Sequence, residues 1–239
     1  AGSTTFLRGD NTWATAGSTS ASDLTSGTLA DARFPATLPA ISGANLTNLP
    51  AGGATGIDGL TDGYSAGNSV GLGTNALAND DGTSNDNTAV GNNALYGNTS
   101  GSSNTAVGRL SMFDTTTGST NTAVGASTLQ MNAGGSNNTA VGYEALYLNV
   151  SGGLNTAVGR KALKNNTANN NTGVGTNSLT SNTSGTYNAA LGLSSLYANT
   201  TGSSNTAVGA TALQSNTTGG YNTANGAYAL QANTSGQRN

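Results

Sequence analysis

The side chains able to do acid–base, nucleophilic or electrostatic chemistry are few. Of 239 residues only 17 are charged, and the chain has neither His nor Cys. The ordinary general base, the thiol nucleophile, disulfides and the usual zinc ligands are therefore missing together. The main basic cluster is Arg160, Lys161 and Lys164, and Glu144 is the only glutamate. The trio suits attraction to acidic polysaccharide; its plainer reading is a solvated patch. Asp80, Asp81 and Asp86 are crowded enough to suggest calcium but fit no calcium-loop spacing, and read better as a solvated turn. Arg8-Gly9-Asp10 is formally an integrin tripeptide and more economically a turn. A catalytic pair has no support, so we expect no enzyme activity and no cofactor or metal.

Tyrosines are the remaining candidates. Tyr96, Tyr147 and Tyr197 occupy equivalent places, and Tyr143, Tyr187, Tyr221 and Tyr228 fall nearby. Exposed rings stack on sugars; the structural alternative, ring packing against ring, is the simpler expectation. Asn98, Asn149, Asn182, Asn199, Asn216 and Asn233 each begin a glycosylation acceptor sequence. A net charge of −3 without a basic run argues against nucleic acid, and no apolar stretch is long enough to insert in a membrane. Ala1 stands first without Met or a basic-then-apolar leader, which reads as a processed chain or a fragment.

What positions these residues is a repeat. Thr, Gly and Asn number 38, 36 and 33, nearly half the chain, a composition typical of repetitive proteins. Asn-Thr-Ala-Val-Gly begins at Asn87, Asn104, Asn121, Asn138 and Asn155, each 17 residues after the last, and variants continue from Asn171, Asn188, Asn205 and Asn222. Ser69-Val70-Gly71-Leu72-Gly73 fits one step earlier. A large apolar residue follows four places after the glycine, so the unit reads N-T-A-V-G-x-x-A-L-x-x-N-T-x-G-x-x.

In the Asn-Thr-Ala-Val-Gly run, alternation sends Thr and Val to one side and Ala and Gly to the other, where backbone can approach closely. The Asn-Thr-x-Gly run has turn chemistry, with left-handed Asn and Gly expected. The segment between, such as residues 143–147, is either a second strand or one helical turn. The expected fold is all-β: a parallel β-solenoid, one turn per unit from residue 68 to 239, with Val90, Val107, Val124, Val141, Val158 and Val208 in a buried column. Gly91, Gly108, Gly125 and Gly142 and the large residues Leu95, Leu129 and Leu146 form columns beside it. Met112 and Asn225 break the Leu and Val columns. About two large apolar residues per unit leave little area to offset ordering entropy, so we expect a homotrimer about one axis.

Residues 1–50 hold all three prolines and the single Trp, Trp13, and read as an extended, intertwined connecting module joined through a linker at 51–67. Leu24–Pro35 and Ile41–Pro50 echo each other, each running from Ser-Gly to a closing proline. These segments, with Phe6-Leu7-Arg8-Gly9-Asp10-Asn11-Thr12-Trp13, resemble connecting modules of bacteriophage tail fibres. The Asn-Thr-Ala-Val-Gly array is similar to repeats of phage fibres and to the stacked heads of trimeric autotransporter adhesins. The resemblance implies a structural segment of an extracellular trimeric fibre in a virion tail, contributing to host attachment through a polysaccharide or protein receptor. The alternative is a bacterial surface adhesin whose repeat head itself binds matrix or cells.

Overall fold

The computed structural model describes residues 5–7, 13–15, 63–83 and 85–239. The chain divides into two compact units, 1–50 and 51–239. In the first, strands β1 (Thr5–Leu7) and β2 (Trp13–Thr15) pair antiparallel. Arg8-Gly9-Asp10 and the two Pro-terminated segments lie outside the described residues, as does most of the expected extended, intertwined module and of the linker.

The second unit is a β-solenoid. Strand β3 (Gly63–Ala66) falls inside the expected linker and turns through Gly67, φ 56°, to pair antiparallel with β4 (Ser69–Leu72). A two-residue hairpin loop favours glycine at its first central position. From β4 onward ten strands run parallel: β5 (Thr88–Val90), β6 (Thr105–Val107), β7 (Thr122–Val124), β8 (Thr139–Val141), β9 (Thr156–Val158), β10 (Thr172–Val174), β11 (Ala189–Leu191), β12 (Thr206–Val208) and β13 (Thr223–Asn225). Like residues pair in register, Thr122 with Thr139 and Val124 with Val141. β4 has four residues and each later strand only three, so backbone bonding between turns continues through the connections. Leu129 N–H donates to Ala145 O (3.0 Å) and Met131 N–H to Tyr147 O (3.0 Å).

The interior consists mainly of alanine, leucine and asparagine. Ala123 and Leu129 are fully buried, as are their equivalents along most of the array, whereas Leu230 in the last unit is 38% exposed. Asparagine can fill a buried column because its head group carries donor and acceptor together. Asn138 Oδ1 accepts both the backbone N–H of Asn155 (3.0 Å) and its Nδ2 (3.1 Å), while Asn138 Nδ2 reaches Asn121 Oδ1 (3.1 Å) and Gly152 O (2.9 Å). A second column passes from Asn132 through Asn149 and resumes from Asn166 through Asn182, Asn199 and Asn216 to Asn233. Identical side chains stacked in register are favourable because each satisfies the next.

Three expectations are corrected here. The valines stack but do not form a buried column: Ala123 is inaccessible while adjacent Val124 is 38% exposed. Val90, Val141, Val158 and Val208 are exposed likewise, and Val107 is half-buried. In a three-residue strand only the middle side chain points inward. Residues 143–147 form neither strand nor helix, because Glu144 and Leu146 take φ of 56° and 51°. The Asn-Thr-x-Gly run is not where left-handed residues sit. In the unit from Asn87 they are Asn93, Leu95 and Ser103, alongside Gly91. Leu95 adopts a conformation costing about 1–2 kcal/mol, offset by burial of its side chain. Gly91 is required twice over: its φ is 134°, and a Cβ would lie 2.7 Å from the backbone carbon of Gly108.

Candidate functional site

The residues singled out for binding lie on the outer connections. The two lysines of the chain and its single glutamate meet across one pair of turns. Lys164 Nζ lies 2.7 Å and Lys161 Nζ 3.9 Å from Glu144 Oε2. Burial works to raise the Glu144 pKa, but hydrogen bonds from Lys164 and Tyr143 and the charges of both lysines hold it below the ordinary value. Tyr143 is displaced upward by its hydrogen bond to Glu144 and by that charge. Lys164 Nζ also stands 5.5 Å from the centre of the Tyr147 ring. The basic cluster is thus largely committed to Glu144 and Tyr147, and Arg160 remains exposed beside them.

Tyr96 is occupied too. Its ring stacks on Phe113 of the next turn with centroids 5.1 Å apart and planes 7° from parallel. These two contacts fall at informative places. Asn98 Oδ1 and Asn149 Oδ1 are buried without hydrogen-bond partners. One step beyond Asn98 the column holds Thr115, which has no amide to offer, and its own Oγ1 is also unpaired. One step beyond Asn149, the unit from Asn155 is one residue short, and Asn166 Nδ2 turns to Ala168 O (2.8 Å). The Tyr96–Phe113 stack bridges the same two turns as Asn98 and Thr115. The Glu144–Lys164 and Tyr147–Lys164 pairs bridge the same two turns as Asn149 and Asn166. Tyr96, Tyr147, Lys161 and Lys164 therefore fasten turns where the internal column is interrupted, a role unreadable from the repeat because the buried defect lies elsewhere in the turn.

Other candidates resolve similarly. Asp81 Oδ1 accepts from Thr83 N (3.0 Å), Thr83 Oγ1 (2.7 Å) and Asn85 Nδ2 (3.1 Å), and Thr83 foremost lowers its pKa. Asp80 Oδ2 accepts from Asn98 Nδ2 (3.1 Å), starting the second column with a carboxylate. Among the described residues no group of three or more His, Cys, Asp or Glu is placed to hold a metal. Five glycosylation candidates, Asn98, Asn149, Asn182, Asn199 and Asn216, are fully buried column members, so the folded chain does not present their amides to an enzyme. Among the described residues no helix is long and apolar enough to cross a membrane.

Two outward sets remain. The strand face presents Thr and Val turn after turn. Tyr187, Tyr221 and Tyr228 project from connections, each more than 60% exposed, and Tyr197 is exposed to a lesser degree. Sequence reading grouped these tyrosines with Tyr96 and Tyr147, since ring packing depends on what stands one turn away. A comparison with protein-family models, curated proteins and solved structures finds no match for the chain.

Proposed function

We propose that this chain is a structural segment of an extracellular, homotrimeric fibre, belonging to a phage tail and contributing to host attachment. The observation that carries the reading is selective repetition on the outside. At the last strand position the units hold Leu72, Val90, Val107, Val124, Val141, Val158, Val174, Leu191 and Val208, and only Asn225 departs. Two residues later, also outward, they hold Thr74, Asn92, Arg109, Ala126, Tyr143, Arg160, Thr176, Leu193, Ala210 and Ala227. Solvent alone would let both positions drift. A continuous exposed apolar stripe marks a protein contact, and a partner matching one apolar residue per turn along the array must share its spacing. Another copy of the chain has that spacing, and closed symmetry about one axis makes the contact finite.

Sedimentation of the chain tests this. We expect a trimer, and dissociation when Val124 and Val141 are both replaced by Asp. A stable monomer that is unaffected by the replacements would overturn the assembly. The fibre's low charge and repeated turns suit a rigid spacer. The adhesin alternative is separated from it by the complete gene: a membrane anchor favours the adhesin, neighbouring tail genes the phage fibre.

A further inference from the structure

We propose that Tyr187 and Tyr221 form a binding platform for an uncharged, β-linked polysaccharide lying along the solenoid. The inference rests on the fibre reading for its setting and names the partner that the sides of the rod engage. Both residues occupy the last position of their units, with Ser204 between them and Arg238 one turn beyond. Backbone bonds tie this column to the rod: Ser204 N–H donates to Thr186 O (2.9 Å), Tyr221 N–H to Ser203 O (3.0 Å) and Arg238 N–H to Gly220 O (3.2 Å). The two tyrosines are therefore anchored two turns apart, about 9.6 Å along the axis.

Their placement has a conformational cost with little burial in return. Tyr187 and Tyr221 take φ of 58° and 59°, a region bulky residues avoid and Asn tolerates. Asn137 and Asn170 hold the same position in other units. Yet the two residues stay 66% and 63% exposed, whereas Tyr96 is stacked on Phe113. The Arg238 guanidinium lies over one face of the Tyr221 ring, 5.9 Å from its centre, which leaves the other face for a sugar and brings N–H donors to the same column.

The surroundings select the class of ligand. No Asp or Glu occurs after Glu144, and no charged residue lies between Lys164 and Arg238. Sugar C–H faces suit the negative face of an aromatic ring, and Ser, Thr and Asn supply neutral partners for hydroxyls. Two tyrosines anchored two strand spacings apart match the disaccharide repeat of an extended β-linked chain, which returns the same sugar face to each ring. A coiled α-linked chain does not keep that line.

The test is calorimetric titration of the full chain with cellohexaose and chitohexaose, with maltohexaose as the α-linked comparison. Binding of at least one β-linked hexaose in preference to maltohexaose is expected. Tyr187→Ser with Tyr221→Ser should weaken it at least about tenfold. Serine already occupies this position at Ser103 and Ser204, so the fold is kept, as thermal unfolding verifies. Tyr187→Phe with Tyr221→Phe should retain most of the affinity, and Tyr228→Ser should leave it unchanged. Absence of binding by either β-linked hexaose, equal binding of maltohexaose, or insensitivity to the double Ser variant would each overturn the platform. So would dissociation of the assembly by that variant, which would make the tyrosines an interface between chains. Sedimentation of the unaltered chain reports separately on the fibre.

Discussion

Adjacent residues on one strand, Ala123 and Val124, belong to different regions of the molecule. Ala123 faces the interior, where Asn121, Leu129 and Asn132 are also sealed from solvent, and Val124 faces outward. Both recur along the array, but for different reasons. The interior recurs because each turn is the mould for the next: Asn bonds to Asn, and Gly leaves room for backbone. The outer valine stacks on its like yet stays 38% exposed at Val124, so its recurrence points beyond the single coil. Repetition within one chain serves as its own alignment, and burial separates the two causes.

The largest expected effect breaks the interior. Leu146→Ala should cost about 3–4 kcal/mol of fold stability, since it empties a fully buried site between rigid turns. Val141→Ala should cost less than about 1 kcal/mol in dilute, separated chains and act mainly on association. Thermal unfolding and sedimentation of both variants check the contrast, and equal loss of stability in dilute solution would erase it.

Next comes Asn138→Ala against Thr139→Ala. Without Asn138 Oδ1, the buried N–H and Nδ2 of Asn155 lose their shared acceptor, for an expected loss of about 2–3 kcal/mol. The exposed Thr139 hydroxyl should be worth about 0.5 kcal/mol or less. Urea midpoints at constant m-value measure the difference.

A smaller effect has the opposite sign. Thr115→Asn gives Asn98 Oδ1 a donor and removes an unpaired hydroxyl, so stability should rise by about 1 kcal/mol. A lower urea midpoint for this variant would mean that the Tyr96–Phe113 stack depends on threonine beneath it.

The smallest effect is electrostatic. Glu144 has a lowered pKa, so its contribution is present above the ordinary glutamate value and disappears as pH falls through the depressed one. Burial raises the Asp114 pKa, so its contribution is fully present below the ordinary aspartate value and is lost as pH rises through the raised one. With these opposed and no His, the Tm should stay flat between about pH 6 and 8. Glu144→Gln should lower stability at pH 7 by about 1 kcal/mol or less, a difference that closes in acid. A steep Tm change near neutrality would contradict this account.

Much of the fold was legible because period is a property of the letters themselves. The spacing of Asn87, Asn104 and Asn121 determines which strands pair and in what register, since only one alignment stacks most Asn, Gly and Leu residues on their like. Absence of His and Cys bounded the chemistry with equal directness. The candidate site was less legible: Tyr96 and Tyr187 carry the same letter and differ in what lies one turn away.

Which side of the strand is inside was left to tertiary structure. Valine has the greater hydrophobic area, so composition favours burying it. The narrow coil instead admits alanine, because a leucine from the connection fills the space beside it: at Gly173, the same strand position, a Cβ would already lie 3.2 Å from the Leu163 side chain. The same constraint turned the Asn-Thr-x-Gly asparagines from expected turn formers into buried ladder members, and left Leu95 and Leu146 in left-handed conformations. Sequence alone determined the repeat and its register; the folded coil decided inside from outside, because that choice depends on the width of a cavity that no single unit encloses.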